Sequence, residues 1–181
     1  MRRLILLCCG LAVNFAGCAT MTARREFNAL PLLPPAALGL ETNRMQRLTI
    51  GRIGGESAIT LDAVVEVDPD ELRVAGILLG RRVLLLTWDG EHLTESRDPL
   101  VPASLNGRAV LRDLQLVYWP AEAIRARLPQ GCRLEDSAAI RHVLCGSTLV
   151  LDVQRSDAQP LGAARLQNHL GHYMISIESA P

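Results

Sequence analysis

From Met45 onward apolar and polar residues alternate along the chain. Leu48 and Ile50, then Ile59, Leu61, Ala63, Val65 and Val67, fall on one face of an extended backbone, with Thr60, Asp62, Glu66 and Asp68 on the other. Successive side chains of a strand point to opposite faces, so this pattern predicts half-buried antiparallel strands. Asp68-Pro69-Asp70 turns the chain into a second run, Leu72 to Leu79, and Gly80 turns it again. Val83 to Trp88 then ends at Asp89-Gly90, a strong hairpin signal, and His92 to Ser96 returns. Four or five strands thus form a meander. The run Val83-Leu84-Leu85-Leu86-Thr87-Trp88 is apolar on both faces and asks for cover on each.

The period then changes. Val110, Leu111, Leu114, Val117 and Tyr118 recur at helical spacing, Arg108, Arg112, Asp113 and Gln115 mark the opposite face, and Asn106 is placed to cap the start. Pro120 stops this helix and opens a shorter one through Leu128, before Pro129 closes the pair. Strand patterns resume at Cys132 to Glu135, Ile140 to Cys145, Leu149 to Val153, Ala164 to Leu170 and Tyr173 to Ile177. About nine to eleven short strands with one helical pair predict a mainly β (α+β) domain. A flat sheet that wide leaves too much apolar face uncovered, so the expectation is a strongly curved antiparallel sheet or half-barrel lidded by the helices.

Upstream, Arg2 and Arg3 precede the apolar run Leu4 to Ala12 and the end Phe15-Ala16-Gly17-Cys18. Residues 1–17 read as a lipoprotein signal peptide, too short to remain as a transmembrane helix. Cys18 becomes the first mature residue, its thiol acylated and the chain held on a membrane. The competing reading is an ordinary secretory signal with an incidental cysteine, and Phe15 stands where Leu is usual. By resemblance to sorted lipoproteins, Ala19 in place of Asp after the cysteine directs the protein to the outer membrane. Residues 18–40, with Pro31, Pro34 and Pro35, are expected to be an extended tether, and residues 41–181 one folded domain.

Composition narrows the function. All 19 basic residues are Arg, balanced by 19 acids, and loss of Arg2 and Arg3 with the signal leaves a slightly acidic chain. That argues against nucleic acid as a partner. With no lysine, P-loop phosphate binding, a pyridoxal Schiff base and a Ser-x-x-Lys hydrolase are out of reach. Aromatics make up 3% of the chain, too few for stacking platforms. Cys8 and Cys9 leave with the signal. Cys132 and Cys145 are either a disulfide across neighbouring strands or two buried thiols. His169 and His172 point to opposite faces of an extended chain and have no completing ligands, so no metal and no cofactor are expected. Gly54-Gly55 and Gly146-Ser147 read as turns, and no catalytic residue is assigned.

Asp113-Leu114-Gln115-Leu116-Val117-Tyr118-Trp119-Pro120, together with Gln46-Arg47-Leu48, Leu61 to Val67, Asp89-Gly90 and Asn168-His169 before Gly171 and Tyr173, resembles a bacterial lipoprotein family known only as domain of unknown function 3261. The resemblance spans nearly all of the mature chain. Members tend to be encoded beside fatty-acid-synthase-like genes of the aryl-polyene type, which implies a role in placing a lipid product in the outer membrane. The architecture also resembles the lipoprotein-localisation proteins LolA and LolB, in which a curved sheet is lidded by helices over an acyl-binding hollow. That implies a hollow lined by Val65, Val67, Leu85, Trp88, Leu114 and Trp119, against the plainer reading of a solid core. It further implies a membrane contact at Leu78 or Leu79, where LolB exposes a loop, against an ordinary strand end.

Three functions are therefore in play. The leading one is a non-enzymatic lipoprotein on the periplasmic face of the outer membrane, which receives an acylated molecule from a periplasmic donor protein and passes it on. The second is an assembly lipoprotein with a solid core that docks a protein partner, and the last a periplasmic acyl hydrolase.

Overall fold

A computed structural model describes residues 19–99, 101, 106–156 and 161–179. The expected signal peptide and Cys18 lie outside the described residues. The strands are β1 (Thr42–Arg52), β2 (Ala58–Val67), β3 (Leu72–Leu78), β4 (Arg81–Trp88), β5 (Leu93–Arg97), β6 (Cys132–Asp136), β7 (Ile140–Cys145), β8 (Thr148–Arg155), β9 (Ala164–Asn168) and β10 (Tyr173–Ser179). They form one ten-stranded antiparallel sheet in the order β5-β4-β3-β2-β1-β10-β9-β8-β7-β6. The two halves of the chain are joined by the β1–β10 ladder, Gln46 opposite Ser179 through Arg52 opposite Tyr173. β5 and β6 are both edges, so the sheet is not closed. The protein is thus mainly β with a few helices, consistent with a half-barrel.

Local chemistry accounts for the turns. Asp68 Oδ1 accepts from the backbone N–H groups of Asp70 and Glu71 at 2.8 and 2.7 Å. Asp89 Oδ1 does the same for Glu91 and His92, and these backbone donors hold its carboxyl below the usual range. The ladder slips at Gly76/Ile77 and at Val143/Leu144, bulges that bend the strands. Cys132 and Cys145 stand opposite each other in the β6–β7 ladder and are disulfide-bonded.

The β5–β6 connection carries α2 (Gly107–Tyr118) and α3 (Ala121–Arg125). Asn106 Oδ1 caps α2 by accepting from the N–H groups of Arg108 and Ala109. At the other end Arg141, 2% exposed, donates to the α2 carbonyl of Leu116 and the following carbonyl of Trp119 at 2.8 and 2.9 Å, and to Asp136 at 2.7 Å. A strand residue thereby fastens the helix end to the sheet.

Two expectations are corrected here. Residues 19–40 are not an extended tether. Residues 19–28 form a helix, α1, residues 35–38 a single 3₁₀ turn, and Ala23, Phe27, Leu30, Leu32, Leu33 and Leu38 are buried in the main core. Apolar side chains recur too often in this segment to remain solvated beside an uncovered sheet. Arg112, Asp113 and Gln115, expected on the outer face of α2, are all buried, because that same segment covers the helix from outside. No helix among the described residues is long and apolar enough to cross a membrane.

Candidate functional site

The inner face of the sheet is set by register. Val65 pairs with Val74 and Val74 with Leu86, while Val67 pairs with Leu72 and Leu72 with Trp88, so these six side chains share one face. Over them lie Leu111, Leu116 and Val117 of α2, Trp119, and Ile124 of α3, in one continuous apolar cluster. Of the residues expected to line a hollow, Val65, Val67, Trp88 and Trp119 are buried in this cluster, and Leu114 packs half-buried at its edge. Leu85 does not join them. It sits opposite Ala75, itself opposite Val64, on the other face of the sheet, and all three are half-buried. Leu85 and Trp88 are three apart, and an odd spacing in a strand reverses the face.

The space between α2, α3 and the sheet is filled by residues 30–38, which run across the inner face as a strap. Buried side chains hold the strap by its backbone. The Leu33 N–H donates to Gln115 Oε1 at 2.8 Å, and the Leu33 carbonyl accepts from Gln115 Nε2 and Trp88 Nε1, each at 2.8 Å. Trp119 Nε1 donates to the next carbonyl, Pro34, at 3.3 Å. A cavity of about 10 Å³ remains beside Leu30, Pro31, Leu33 and Leu116, room for no more than a water. Alternation and helical spacing do not announce the strap, although the Leu-Gln-Leu...Trp-Pro stretch contains two of its holders, Gln115 and Trp119.

The second sequence motif forms a polar knot under the middle of α2. Tyr173 donates its hydroxyl to Asp113 Oδ2, Asn168 Nδ2 donates to the Tyr173 oxygen at 3.0 Å, and Asn168 Oδ1 accepts from Gly171 N–H at 2.8 Å. Arg112 donates to Asp113 Oδ1 from Nε and Nη2 at 3.1 and 3.0 Å. Burial pushes the Asp113 carboxyl up, with Arg112 and Tyr173 pulling the other way. Burial and then the Asp113 charge push the Tyr173 phenol well above its ordinary value. A Cβ at Gly171 would stand 2.4 Å from the Tyr173 ring, so this ring position needs glycine there.

The ladder registers also sort the turns by end. Those at residues 53–57, 79–80, 146–147 and 169–172 lie at one end of the sheet, and α1 lies there too, since Arg24 donates to the Leu170 carbonyl at 2.7 Å. Here Leu79 is 95% exposed, with φ of 51° followed by 74° at Gly80. A two-residue hairpin with both angles positive favours Asn, Asp or Gly, and leucine in this conformation is disfavoured by about 1–2 kcal/mol. Met21, Ile53 and Ile59 are exposed at the same end, where Arg24, Arg52, Arg81 and Arg82 are exposed as well. Leu78, the other expected membrane residue, is only partly exposed.

Among the described residues, Glu26, Cys132 and Cys145 are the groups that converge most like a metal site, but both sulfurs are consumed in the disulfide. Residues 43–181, from β1 to the end of the chain, match the family described as "Protein of unknown function (DUF3261)". No curated protein matches the chain.

Proposed function

We propose that this chain, which belongs to the DUF3261 family of proteins of unknown function, is a lipoprotein acylated at Cys18 on the periplasmic face of the outer membrane, where it binds an acylated molecule and hands it to the bilayer. The single observation that carries the reading is Leu79, an apolar side chain held almost fully in water, in a strained conformation, at a hairpin tip. Neither packing nor turn chemistry accounts for leucine there, whereas insertion into a bilayer does. It lies at the end of the sheet where α1 begins, one residue after Cys18. Lipid anchor and hairpin would then meet the membrane together, two weak attachments that reinforce each other.

In this reading the inner face is a LolB-like acyl site whose resting occupant is the strap. Exchange of the strap for an acyl chain swaps one apolar filling for another, at roughly 0.8 kcal/mol per CH₂ buried, and no covalent step is required. The aryl-polyene association of the family resemblance makes an acylated lipid product our proposed cargo. A second reading, an assembly lipoprotein with a permanently solid core, is favoured by the 10 Å³ cavity beside the strap.

Native mass spectrometry on a secreted form carrying Cys18→Ser separates the two. The carrier reading expects an acyl-chain-sized mass released on unfolding and uptake of fluorescent fatty acid. Leu79→Glu should keep that uptake and lose delivery to phospholipid vesicles. A clean apo mass with no uptake refutes the carrier and leaves the docking reading.

A further inference from the structure

A cleft of about 360 Å³ opens between α1, the first turn of α2 and the β9–β10 turn. Three arginines line it, Arg24, Arg108 and Arg112, together with Asn28, Asn168 and Tyr173. We propose that this cleft is a binding site for a phosphate group. Among the arginines of the chain, some are neutralised by a carboxylate and some are not. On the sheet surface Arg47, Arg73 and Arg133 each pair with a carboxylate, whereas neither Arg24 nor Arg108 forms an ion pair with a described residue.

Arg112 is the fixed member. Its guanidinium stacks 4.1 Å from the centre of the Phe27 ring, and Asp113 and Asn28 hold its edges. It is nine-tenths buried, so its orientation is set before any ligand arrives. Asp113 does not oppose an anion strongly, because one of its oxygens is taken by Arg112 and the other by the Tyr173 hydroxyl. Two positive charges are left over once Arg112 and Asp113 are set against each other, matching a phosphate mono- or dianion. Guanidinium groups bind such oxygens in paired, planar fashion. The backbone N–H groups of Arg108 and Ala109 are already capped by Asn106, so the side chains and not the helix terminus make the site.

The cleft lies at the end of the sheet that carries Leu79, which suits the phosphate of a phospholipid headgroup, and a soluble phosphorylated molecule presents the same chemistry. The site does not depend on the carrier reading, and its test runs first without membranes. Equilibrium dialysis of the full chain in non-ionic detergent against labelled inorganic phosphate, at constant ionic strength, should give one saturable site per chain. Arg24→Gln with Arg108→Gln should raise the half-saturation concentration about a hundredfold, some tenfold for each guanidinium–phosphate hydrogen bond removed. Both residues are exposed, so the fold should survive, with far-ultraviolet circular dichroism as the check. Arg44→Gln with Arg165→Gln, two exposed arginines outside the cleft, should leave binding unchanged.

A second arm measures co-sedimentation with phosphatidylglycerol and phosphatidylcholine vesicles. Vesicle binding that inorganic phosphate competes away, and that the cleft variant loses, assigns the site to a lipid headgroup. Phosphate binding with vesicle association unchanged in the variant assigns it to a soluble phosphorylated ligand. Absence of saturable phosphate binding, or equal loss in both double variants, overturns the proposal.

Discussion

Gln115→Met tests whether the strap is the moving part. Methionine is close to glutamine in length and suits an apolar surround, so the change removes polar partners more than volume. Two hydrogen bonds disappear, Leu33 N–H to Oε1 and Nε2 to the Leu33 carbonyl. The carbonyl keeps its bond from Trp88 Nε1, but the Leu33 N–H is left buried with no acceptor. A stranded buried donor costs about 1–3 kcal/mol and a second net bond about 1 kcal/mol, so local opening of the strap should become easier by at least about 2 kcal/mol. At 1.4 kcal/mol per tenfold, that is roughly a thirtyfold rise in the open population. Amide hydrogen exchange read residue by residue is the assay. The amides of Leu32, Leu33 and Leu38 should exchange about thirtyfold faster, with Val150 and Val153 of β8 slowed or hastened by far less. Fatty-acid uptake should quicken in parallel. If strap and β8 amides speed up together, the strap is an inseparable part of the core and does not move aside for an acyl chain.

Leu79→Asn should raise the unfolding free energy by about 0.5–1 kcal/mol, since asparagine tolerates positive φ where leucine does not, and a loss of stability in denaturant titration would instead make Leu79 a packing residue. Asp136 is governed by two opposed influences: its partial burial raises the carboxyl, but hydrogen bonding and charge from Arg141 and Arg155 prevail and hold it below the usual range. A depressed folded value means stability present above the unfolded value near 3.8 and lost as pH falls through the folded one. Asp136→Asn should therefore lower stability at neutral pH and flatten the acid limb of the pH–stability curve; an unchanged acid limb refutes the assignment. Replacing both Cys132 and Cys145 by serine opens a short loop and should cost about 3 kcal/mol, visible as a lower melting temperature that reductant no longer affects.

The strand pattern, the two helices and the turns are legible in the sequence because each is decided within a few residues. Alternation places Ala63, Val65 and Val67 on the inner face, Asn106 caps α2, and Asp68 and Asp89 close their own turns. Where the strand Val83 to Trp88 is apolar on both sides, that local rule gives no hint of which face is inner, and Leu85 falls in with the wrong one. The absence of lysine likewise speaks without any structure, because it concerns missing functional groups. Tertiary structure decided the rest. Gln115 and Arg112 look like solvated helix positions until the strap and Phe27 arrive from more than eighty residues away, since a polar side chain reads the same whether water or a buried backbone group is its partner. The same holds for Tyr173 and Asp113, sixty residues apart, and for the end of the sheet that gathers α1, Leu79 and the arginine cleft. Those neighbourhoods follow from the β1–β10 ladder and the single crossing of α2, which are set by the burial of the whole apolar surface and not by any local pattern.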